Sequence, residues 1–444
     1  MSNSKSSIMI VAGTRPEAIK LAPVIEWIQK LNLDFIFVWS GQHYHYEMSK
    51  IFFEQLGLPE PDENLNVRSG THAEQTAKVM IGLEKVIEKY KPSMVIAEGD
   101  TNTVVATALT ATKVKVPFAH VEAGLRSWDK TMPEEINRIL ADAIAELHFA
   151  PTELAAINLM HEGIPLRKIH ITGNTIVDVV LKHRNKAIKE GKKLLQELRL
   201  TPYNYLLITA HRPENVDNPQ RLTNIVKALI ELSKYYPIIF PIHPRTIKRL
   251  KQCNNLYNRL KEQQNIILLK PIGYFQFLGL LNYCRVVLTD SGGVQEEALT
   301  LAIPTITLRY NTERPETVLL GINTLVGTEY QKIINQTLIK AEKYSEIRRR
   351  KNDTPNPLGD GKAGERIAKI IKDLSERIKI EEFDSREDPY ITYAVIDNIS
   401  DINEQYLVAY YDETSATLSE KRIKKLLIRA PLSYIHKILN IREK

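Results

Sequence analysis

Three acidic residues lie close to the predicted ends of parallel strands, where they could perform acid/base chemistry. Asp100 and Glu122 each follow an apolar run, and Glu134 comes shortly after them in the chain. Such runs are typical of buried strands, and the carboxyl ends of these strands line the ligand crevice of an open α/β sheet. Three basic side chains are nearby in the sequence, namely His120, Arg126 and Arg138. This combination favours acid/base chemistry over packing as the role of the carboxylates.

Two turns between a predicted strand and a predicted helix carry residues suited to phosphate. In Gly-Thr-Arg-Pro-Glu at 13–17, backbone N–H groups at a helix N-terminus would attract an anion, and Arg15 adds a planar charge. In Asp-Ser-Gly-Gly at 290–293, the glycines would let the backbone approach a ligand and Ser291 could donate to a phosphate oxygen. Glu297 could accept from ribose hydroxyls. The alternatives are an ordinary turn with an exposed arginine, and acidic residues placed for the helix dipole.

Two histidines, His211 and His243, each come just after a predicted strand of the second half of the chain. One histidine in such a place is more often structural, but two in corresponding places favour a function. No HExxH or CxxC pattern is present, so we expect no metal site. The sequence at 359–364 fits GxGxxG but follows Pro-Asn-Pro instead of a strand. We interpret it as a loop that enters a late helix, and we expect no nicotinamide or other cofactor.

The composition indicates a soluble globular protein of about two domains. The chain has 444 residues, of which 43% are hydrophobic and 25% charged. No apolar run is long enough to span a membrane, and the first residues lack the features of a signal peptide. The chain has only two cysteines, so we expect no disulfide framework, and this favours a cytoplasmic location. The net charge of +7 is dispersed along the chain, so we expect no nucleic-acid binding.

Strand and helix patterns alternate in two series, which predicts two parallel sheets facing a cleft. Strands are predicted at 8–11, 35–39, 94–97, 117–121 and 147–150, and then at 206–209, 237–242, 265–269, 285–289 and 304–308. Helices are predicted between them, for example at 18–31, 71–89 and 103–113. The two series join near 173–175, where a charged helix follows.

The character of the chain changes after about residue 373. Strands are predicted at 391–396 and 405–411. The basic segment 419–439 has apolar residues at helical spacing, which predicts a helix that Pro431 breaks or kinks. We interpret this part as a small appendage that packs on the body or on another subunit.

A series of motifs in one order makes the chain resemble the non-hydrolysing UDP-N-acetylglucosamine 2-epimerases from about residue 8 to residue 374. The motifs are Gly-Thr-Arg-Pro-Glu-Ala-Ile-Lys at 13–20, Gly-Asp-Thr-Asn-Thr at 99–103, His-Val-Glu-Ala-Gly-Leu-Arg at 120–126, Pro-Glu-Glu-Ile-Asn-Arg at 133–138, Ile-Thr-Gly-Asn-Thr at 171–175, Thr-Ala-His-Arg at 209–212, the segment 289–297 and Thr-Glu-Arg-Pro-Glu at 312–316.

The resemblance implies an α/β fold of the GT-B type, with two Rossmann-like domains whose parallel sheets face an active-site cleft. We place the N-terminal domain, with the catalytic carboxylates, at 1–173 and the UDP-binding domain at 174–355. A crossover helix at 356–376 and an appendage of unknown role at 377–444 follow.

The activity that the resemblance implies is the interconversion of UDP-GlcNAc and UDP-ManNAc, which supplies ManNAc-type sugars for cell-surface polysaccharide or glycan synthesis. UDP leaves C1 while a base takes the C2 proton, and UDP then adds back to the 2-acetamidoglucal with protonation from the other face. The chemistry needs carboxylates near C1 and C2 and cationic groups for the departing diphosphate.

The residues that the resemblance assigns to these roles fall into three groups. The catalytic set is Asp100, Glu122, Glu134 and His211. The UDP contacts are Arg15, Lys20, His243, Phe277, Ser291, Gly292, Gly293 and Glu297. Lys20 would neutralise phosphate or orient a carboxylate, and Phe277 would support the uracil or belong to the core. The group at the site of a second UDP-GlcNAc, bound as an allosteric activator, is Gln42, His43 and Arg68.

The family is usually dimeric, so we expect a homodimer.

Two segments of this chain depart from the bacterial form of the family. The residues after His43 differ from the Arg-Glu-Met that is usual there, which bears on activation more than on catalysis. His211 is followed by Arg-Pro-Glu-Asn in place of the commoner Arg-Arg-Glu.

Four alternatives differ in the chemistry they need. Epimerases of UDP-2,3-diacetamido-2,3-dideoxy-glucuronic acid share the motifs, including Gly-Leu-Arg-Ser at 124–127 followed by Met-Pro-Glu-Glu at 132–135. Hydrolysing epimerases start with Gly-Thr-Arg-Ala-Asp, whereas this chain has Pro16 and Glu17. A GT-B glycosyltransferase would need an acceptor site. A regulator that binds a UDP-sugar without catalysis would lack a catalytic residue, and none of the four is missing.

Overall fold

Two parallel β-sheets form the framework of the molecule. The computed structural model describes residues 7–41, 53–253 and 255–377, together with strands at 406–412 and 423–429. The first sheet has seven strands in the order β3-β2-β1-β4-β5-β6-β7, and the second has six in the order β10-β9-β8-β11-β12-β13. In each sheet the strand order reverses beside the first strand in sequence, and a ligand crevice opens at such a switch point.

Most of the strands are short apolar runs that are buried on both faces, as in parallel sheets generally, while the edge strand β3 is polar and partly exposed. Their bounds are β1 Ile8–Ala12, β2 Phe35–Trp39, β3 Glu63–Asn64, β4 Met94–Glu98, β5 Phe118–Val121, β6 Leu147–Ala150 and β7 Ile169–Ile171 in the first sheet, and β8 Leu206–Thr209, β9 Ile238–Pro241, β10 Ile266–Leu269, β11 Val286–Thr289, β12 Thr305–Thr307 and β13 Asn323–Leu325 in the second. In β1, Ile8 and Ile10 belong to one core cluster, while Met9 and Val11 belong to another on the opposite face. Alternate side chains therefore hold helices on both sides of the sheet.

Helices connect the parallel strands. Their bounds are Arg15–Lys30, His72–Tyr90, Asn102–Lys113, Pro133–Ile144, Glu153–His161, Thr175–Glu197, Pro213–Val216, Pro219–Leu232, Pro244–Gln252, Leu256–Lys261, Tyr274–Tyr283, Gly292–Thr300, Pro315–Leu319, Tyr330–Glu342, Tyr344–Asn352 and Ala363–Arg377, with a 3₁₀ turn at Leu166–Lys168. In the part of the chain that the structure describes, none of these helices is both long and apolar enough to cross a membrane.

The last of these helices returns to the first sheet. Ile367 and Ile371 belong to the same core cluster as Ile8 of β1. Asp178, in the helix Thr175–Glu197 that joins the two sheets, accepts hydrogen bonds from the backbone N–H groups of Ala363 and Gly364 at 3.1 and 2.9 Å. A carboxylate at a helix N-terminus satisfies N–H groups that have no partner inside the helix. The joining helix therefore anchors the start of the returning one.

The predicted α/β class with two parallel sheets is confirmed. Several strands have the predicted bounds, such as Phe35–Trp39 and Leu147–Ala150, and the GxGxxG sequence forms a loop before the helix Ala363–Arg377 as expected. The strand predicted at 405–411 is present as β14, Tyr406–Asp412. The strand predicted at 391–396 lies outside the described residues.

The helix predicted at 419–439 is wrong over residues 423–429. This segment is a strand, β15 Ile423–Arg429, that pairs antiparallel with β14. Apolar residues in a short basic run fit a helix and a strand about equally well. The β-branched and aromatic residues of the neighbouring β14 supply a pairing partner, and that partner decides in favour of the strand.

Two helices of the second half pack unusually closely at Gly191 and Gly279. A Cβ atom built on Gly191 would lie 2.6 Å from the backbone carbon of Gly279. Replacement of a glycine by alanine inside a helix ordinarily stabilises it by about 1 kcal/mol. Here the added methyl group would collide with the backbone of the other helix, so the replacement should destabilise the protein instead of stabilising it.

We expect Gly191→Ala to lower the free energy of unfolding by about 2 kcal/mol, because the two helices must separate to admit the methyl group. The control is Gly82→Ala, also in a helix, where the new Cβ would meet the flexible side chain of Leu65 at 3.2 Å. The control should change stability by less than about 1 kcal/mol. Urea denaturation followed by circular dichroism measures both, and equal stabilities of the two variants would contradict the close packing.

Candidate active site

The site lies where the carboxyl ends of the two sheets face each other. From the first sheet come the loops after β1, β4 and β5, which carry Gly13, Asp100 and Glu122. From the second come the segments after β8 and β11, which carry His211 and Ser291. The ion pairs that cross between the two sides at the site include Lys20 to Glu296 at 3.2 Å, Arg314 to Glu122 at 3.1 Å and Arg212 to Glu134 at 2.6 Å.

A buried group of five charged side chains, which we call the central ion cluster, occupies the middle of this junction. Its members are Lys20, Glu98, Glu122, Glu296 and Arg314. The Lys20 ammonium contacts Glu122 and lies 3.4 Å from Glu98. The Arg314 guanidinium donates to Glu296 at 2.7 Å and to Glu122 at 3.1 Å. Each side chain is less than one tenth exposed, so the charges must be balanced within the cluster.

Three carboxylates face two cations in the cluster, because Glu313, which also contacts Arg314, is balanced by Arg309 at 2.9 Å, and one proton restores the balance. Burial raises the pKa of Glu98 well above its usual range, Lys20 opposes this, and Glu122 adds to it. Burial also raises the pKa of Glu122, against the attraction of Lys20. Although burial acts in the opposite direction, the carboxylates raise the pKa of Lys20. The pKa values of both Glu98 and Glu122 are therefore raised, and Glu98, whose pKa lies well above its usual range, is the first of the two to hold the proton.

Asp100 lies at the edge of the cluster and has one fixed partner. Arg138 contacts the Asp100 carboxylate and donates to Glu135 at 2.7 Å. The side-chain amide of Asn137 donates to the Asp100 carbonyl oxygen at 2.9 Å. The carboxylate itself remains a quarter exposed, so it can reach a ligand in the cleft.

Glu134 occupies a different kind of position from the one that the sequence indicated. It lies in the first turn of the helix Pro133–Ile144 and not at the end of a strand. Its carboxylate accepts from Arg212 of the opposite side at 2.6 Å. Arg212 directly follows His211, so Glu134 reaches the junction by contacting the segment after β8 and not by sharing a sheet edge with Asp100.

The two histidines predicted to share a function are brought together. The rings of His211 and His243 have their centroids 6.3 Å apart. The His211 backbone N–H donates to Asp290 at 3.0 Å, while its side chain remains 42% exposed. His243 accepts from the backbone N–H of Arg245 at the start of the helix Pro244–Gln252. Both rings are available at the edge of the cleft.

In the turn at 13–17 the Glu17 carboxylate accepts hydrogen bonds from the turn itself, a role that the sequence did not indicate. The Gly13 N–H donates to Glu17 at 2.6 Å and the Thr14 hydroxyl donates to the same carboxylate at 2.9 Å. Burial raises the pKa of Glu17 to about 7. The Gly13 N–H therefore already has an acceptor, and Arg15 lies half-buried at the start of the helix.

Gly292 and Gly293 differ in the space that surrounds the position of a Cβ atom. A Cβ on Gly292 would lie 2.5 Å from the guanidinium of Arg314, so this glycine is needed for packing inside the protein. A Cβ on Gly293 would meet no atom of the described residues within 4 Å. Ser291 directly precedes the helix that both glycines begin. The open approach of a ligand to the backbone, expected for both glycines, is therefore available at Gly293.

Two more of the predicted UDP contacts lie on the second side. Burial raises the pKa of Glu297 to about 8, and the Tyr274 hydroxyl opposes this. Phe277 is half-buried and packs against the core of the second half.

Beside Glu134 a cleft of about 530 Å³ opens, lined on one side by three arginines, Arg221, Arg245 and Arg309. Arg68 is exposed with a left-handed backbone (φ 62°), and Gln42 and His43 lie outside the described residues.

Sequence reasoning missed three members of the central ion cluster. Glu98 directly precedes the Gly99-Asp100 motif, and Arg314 lies inside the motif at 312–316, so both stood next to residues already singled out. Glu296 was assigned to the helix dipole, yet it contacts Lys20, Arg314 and, at 3.0 Å, Asn174. Lys20 was expected to neutralise phosphate or to orient a carboxylate, and in the structure its ammonium group contacts carboxylates. No group of three or more residues arranged to hold a metal is found in the described part of the chain.

Comparison with known proteins gives one consistent family. The sequence model of the family described as UDP-N-acetylglucosamine 2-epimerase matches residues 26–372. A UDP-N-acetylglucosamine 2-epimerase of Methanocaldococcus jannaschii is 51% identical over 367 residues, which cover 82% of this chain and 98% of the relative. The crystal structure of the M. jannaschii UDP-GlcNAc 2-epimerase in complex with UDP-GlcNAc and UDP is similar with a TM-score of 0.76 and 50% identity, over 82% of this chain and 99% of that one. A UDP-2,3-diacetamido-2,3-dideoxy-D-glucuronate 2-epimerase of Pseudomonas aeruginosa is 39% identical over 371 residues, covering 83% of this chain and 99% of the relative.

The central ion cluster generates a prediction about stability. Lys20→Met would leave three buried carboxylates opposite one cation, so we expect the free energy of unfolding to fall by about 3 kcal/mol or more. The control is Lys30→Met in the same helix, where the lysine is half exposed and pairs with Glu26 at 3.0 Å. Its loss should cost less than about 0.5 kcal/mol. Chemical denaturation compares the two variants, and similar losses would show that Lys20 does not balance buried charge.

Proposed function

The chain belongs to the UDP-N-acetylglucosamine 2-epimerase family, and we propose that it interconverts UDP-GlcNAc and UDP-ManNAc without hydrolysis. The observation that carries the proposal is the position of the four acid/base residues. Asp100, Glu122 and Glu134 reach the junction from one side, and His211 faces them from the other. A nucleotide sugar in the cleft would have these groups around its reacting carbons.

The chemistry follows from the substrate. The hydrogen at C2 of the sugar is not adjacent to a carbonyl, so simple removal of the proton gives no stabilised anion. Expulsion of UDP from C1 as a base takes the C2 proton gives a neutral 2-acetamidoglucal instead. UDP then adds back while an acid delivers a proton to the other face of C2. The bond to UDP breaks and re-forms, one proton leaves and another arrives, and no redox change occurs.

The surroundings of the carboxyl groups suit this proton traffic. Burial raises the pKa of Glu122, so this group can hold a proton in one half of the reaction and release it in the other. Asp100 is tied to Arg138 and Glu134 to Arg212, which fixes both carboxylates in position. Each group can therefore meet the sugar with little reorganisation.

The UDP portion is proposed to bind the second side of the cleft. The open approach at Gly293, the Ser291 hydroxyl and the rings of His211 and His243 surround the place for the diphosphate. Arg15 would add charge from the first side. Glu297 would accept from the ribose and Phe277 would support the uracil. Cross-junction contacts such as Arg212 to Glu134 would hold the two sides together while the glucal is present, which keeps water away from it.

The remaining parts of the proposal concern organisation. We divide the chain into a catalytic domain at 1–173, a UDP-binding domain at 174–355, a crossover helix at 356–376 and an appendage at 377–444. We propose a cytoplasmic homodimer that supplies ManNAc-type sugars for cell-surface polysaccharide. UDP-GlcNAc as an allosteric activator at Gln42, His43 and Arg68 is a further part of the proposal, and the exposed guanidinium of Arg68 suits a diphosphate.

The second candidate is epimerisation of UDP-2,3-diacetamido-2,3-dideoxy-glucuronic acid, which the 39% identity to the P. aeruginosa enzyme favours. The two reactions share their acid/base chemistry at C2 and differ in the groups at C3 and C6. The two candidate reactions can be distinguished by finding which UDP-sugar exchanges its C2 proton with the solvent.

The test is incubation with each UDP-sugar in heavy water, followed by proton NMR. We expect deuterium at C2 of UDP-GlcNAc together with the appearance of UDP-ManNAc. Asp100→Asn, Glu122→Gln and Glu134→Gln should each lower turnover by about 100-fold or more, because each removes a proton-transferring carboxylate. The control Glu365→Gln, an exposed partner of Lys369, should leave turnover unchanged.

Exchange with the diacetamido uronate alone would replace the first candidate by the second, and free ManNAc would indicate a hydrolase. Turnover near the wild-type value in all three carboxylate variants would contradict the proposed mechanism.

A further inference from the structure

His120 is a buried histidine that the proposed mechanism does not use. It lies in β5, two residues before Glu122, and its side chain is fully buried. Its register partner on the neighbouring strand β6 is another histidine, His148. The two rings occupy equivalent positions on adjacent strands, so a difference between them reports on their partners.

Both ring nitrogens of His120 face oxygen atoms. Nδ1 lies 2.6 Å from a carboxylate oxygen of Asp142, and Nε2 lies 2.8 Å from the carbonyl oxygen of Gly99. A carbonyl oxygen can only accept a hydrogen bond, so Nε2 must carry a proton. If Asp142 is ionised, its oxygen also only accepts, and Nδ1 must carry a proton as well. An imidazole with both nitrogens protonated is a cation.

The partners of Asp142 show that it is ionised. Its second oxygen accepts from the Gly124 N–H at 3.0 Å and from the Arg126 guanidinium at 2.7 Å. Burial acts in the opposite direction, but the charge on His120 and that on Arg126 lower the pKa of Asp142 to about 2. The Gly124 N–H and the Arg126 guanidinium hold Asp142 as a carboxylate without any contribution from His120, so the Nδ1 of His120 must donate to the other oxygen.

We propose that His120 is protonated and positively charged in the folded protein at neutral pH and acts, with Asp142, as the positioning pair for the acid/base residues. Through the Gly99 carbonyl the pair holds the loop of Asp100, and through the Gly124 N–H it holds the loop that carries Glu122. Asp142 lies in the helix Pro133–Ile144, whose first turn carries Glu134. One buried ion pair therefore contacts all three elements that present carboxylates to the cleft.

The conformation of the two loops supports this role. Gly99 has a left-handed backbone (φ 91°), and its N–H donates to the carbonyl oxygen of Val121 at 3.1 Å. Glu122 itself has a positive φ of 70°, which costs energy in a residue other than glycine. Such a conformation persists only where its surroundings fix it. The Asp142 bond to Gly124 lies two residues beyond Glu122 and supplies one of these fixed points.

The charged groups around His120 balance it. Asp142 faces it from the helix Pro133–Ile144, Arg126 from the loop after β5, and His148 from β6. Glu162 pairs with Arg126 through two hydrogen bonds, at 2.7 and 2.5 Å. Two cations and two carboxylates then sum to zero if His148 is neutral. Burial acts in the opposite direction, but the charge of Asp142 raises the pKa of His120 above its ordinary value.

His148 provides the internal contrast. Its Nε2 lies 2.7 Å from the Asp142 carbonyl oxygen, while Nδ1 is 3.3 Å from the carbonyl oxygen of Lys168, beyond the usual range of a good hydrogen bond. One proton is therefore enough for this ring. Burial lowers the pKa of His148. Adjacent histidines in register should thus differ in charge at neutral pH.

The direction of the pH dependence follows from linkage. The pKa of His120 is higher in the folded than in the unfolded chain, where it is about 6.5. The folded protein therefore keeps a proton that the unfolded chain loses. The contribution of His120 to stability is complete below about pH 6.5 and is lost as the pH rises through the folded pKa.

The charge is tested by NMR of the full chain with ¹⁵N-labelled histidine, with signals assigned from His120→Gln and His148→Gln. At pH 7 we expect both nitrogens of His120 to carry protons and His148 to be neutral. A neutral His120 ring at pH 7 would overturn the proposal. This measurement needs no substrate, so it is decided independently of the epimerase function.

The positioning role rests on the proposed function and is tested by kinetics. The turnover number of the wild-type enzyme should fall with rising pH at the same midpoint at which NMR shows His120 losing its proton, with KM changing less than about 3-fold. Asp142→Asn keeps an acceptor for the ring but removes the charge, so it should lower turnover by about 10-fold and move this midpoint to lower pH. The matched control is His148→Gln, which should stay within about 2-fold of the wild type.

Turnover that is constant while His120 loses its proton would overturn the positioning role, as would an Asp142→Asn enzyme with the wild-type pH profile. Absence of epimerisation of any UDP-sugar by the wild-type protein would instead contradict the proposed function, and the NMR result would still decide the charge of His120.

Discussion

The burial of the central ion cluster is the constraint on which the rest of the structure depends. Lys20 and Arg314 lie among Glu98, Glu122 and Glu296 with almost no access to water. Charges in such a place are tolerated only when cations, carboxylates and protons sum to about zero. Because the members come from both sheets, this balance exists only when the two sides are in contact. The cluster therefore links the arrangement of the two sheets to the protonation of Glu122.

This linkage bears on the proposed proton transfer, because Glu122 is both a member of the cluster and a proposed acid/base residue. Burial raises the pKa of Glu122, and this carboxyl group is shielded from water by the contact between the two sheets. Around it, more exposed carboxylates are each fixed by one arginine, Asp100 by Arg138 and Glu134 by Arg212. The fully buried pair of His120 and Asp142 lies beneath these loops and holds their backbone. Buried charged groups thus hold the more exposed carboxylates that are proposed to contact the substrate.

The sequence was sufficient for features that depend on neighbouring residues. Apolar runs located strands such as Phe35–Trp39, and the alternation of elements indicated two parallel sheets. It was insufficient where the partner comes from a distant segment. Glu296 resembles any acidic residue near a helix start until Lys20 and Arg314 are placed beside it, and Gly292 resembles a ligand-binding glycine until Arg314 occupies its open side. Strand β15 was mistaken for a helix because its pairing partner β14 lies in another segment.

The most direct test of this account is a double-mutant cycle between Glu122 and Arg314, which face each other from the two sides at 3.1 Å. The free energies of unfolding of Glu122→Gln, Arg314→Gln and the double variant are compared with that of the wild type. If the cluster joins the two sides, the loss in the double variant should be smaller than the sum of the single losses by at least about 2 kcal/mol. Additive losses, with a coupling below about 0.5 kcal/mol, would contradict a balanced cluster at the junction.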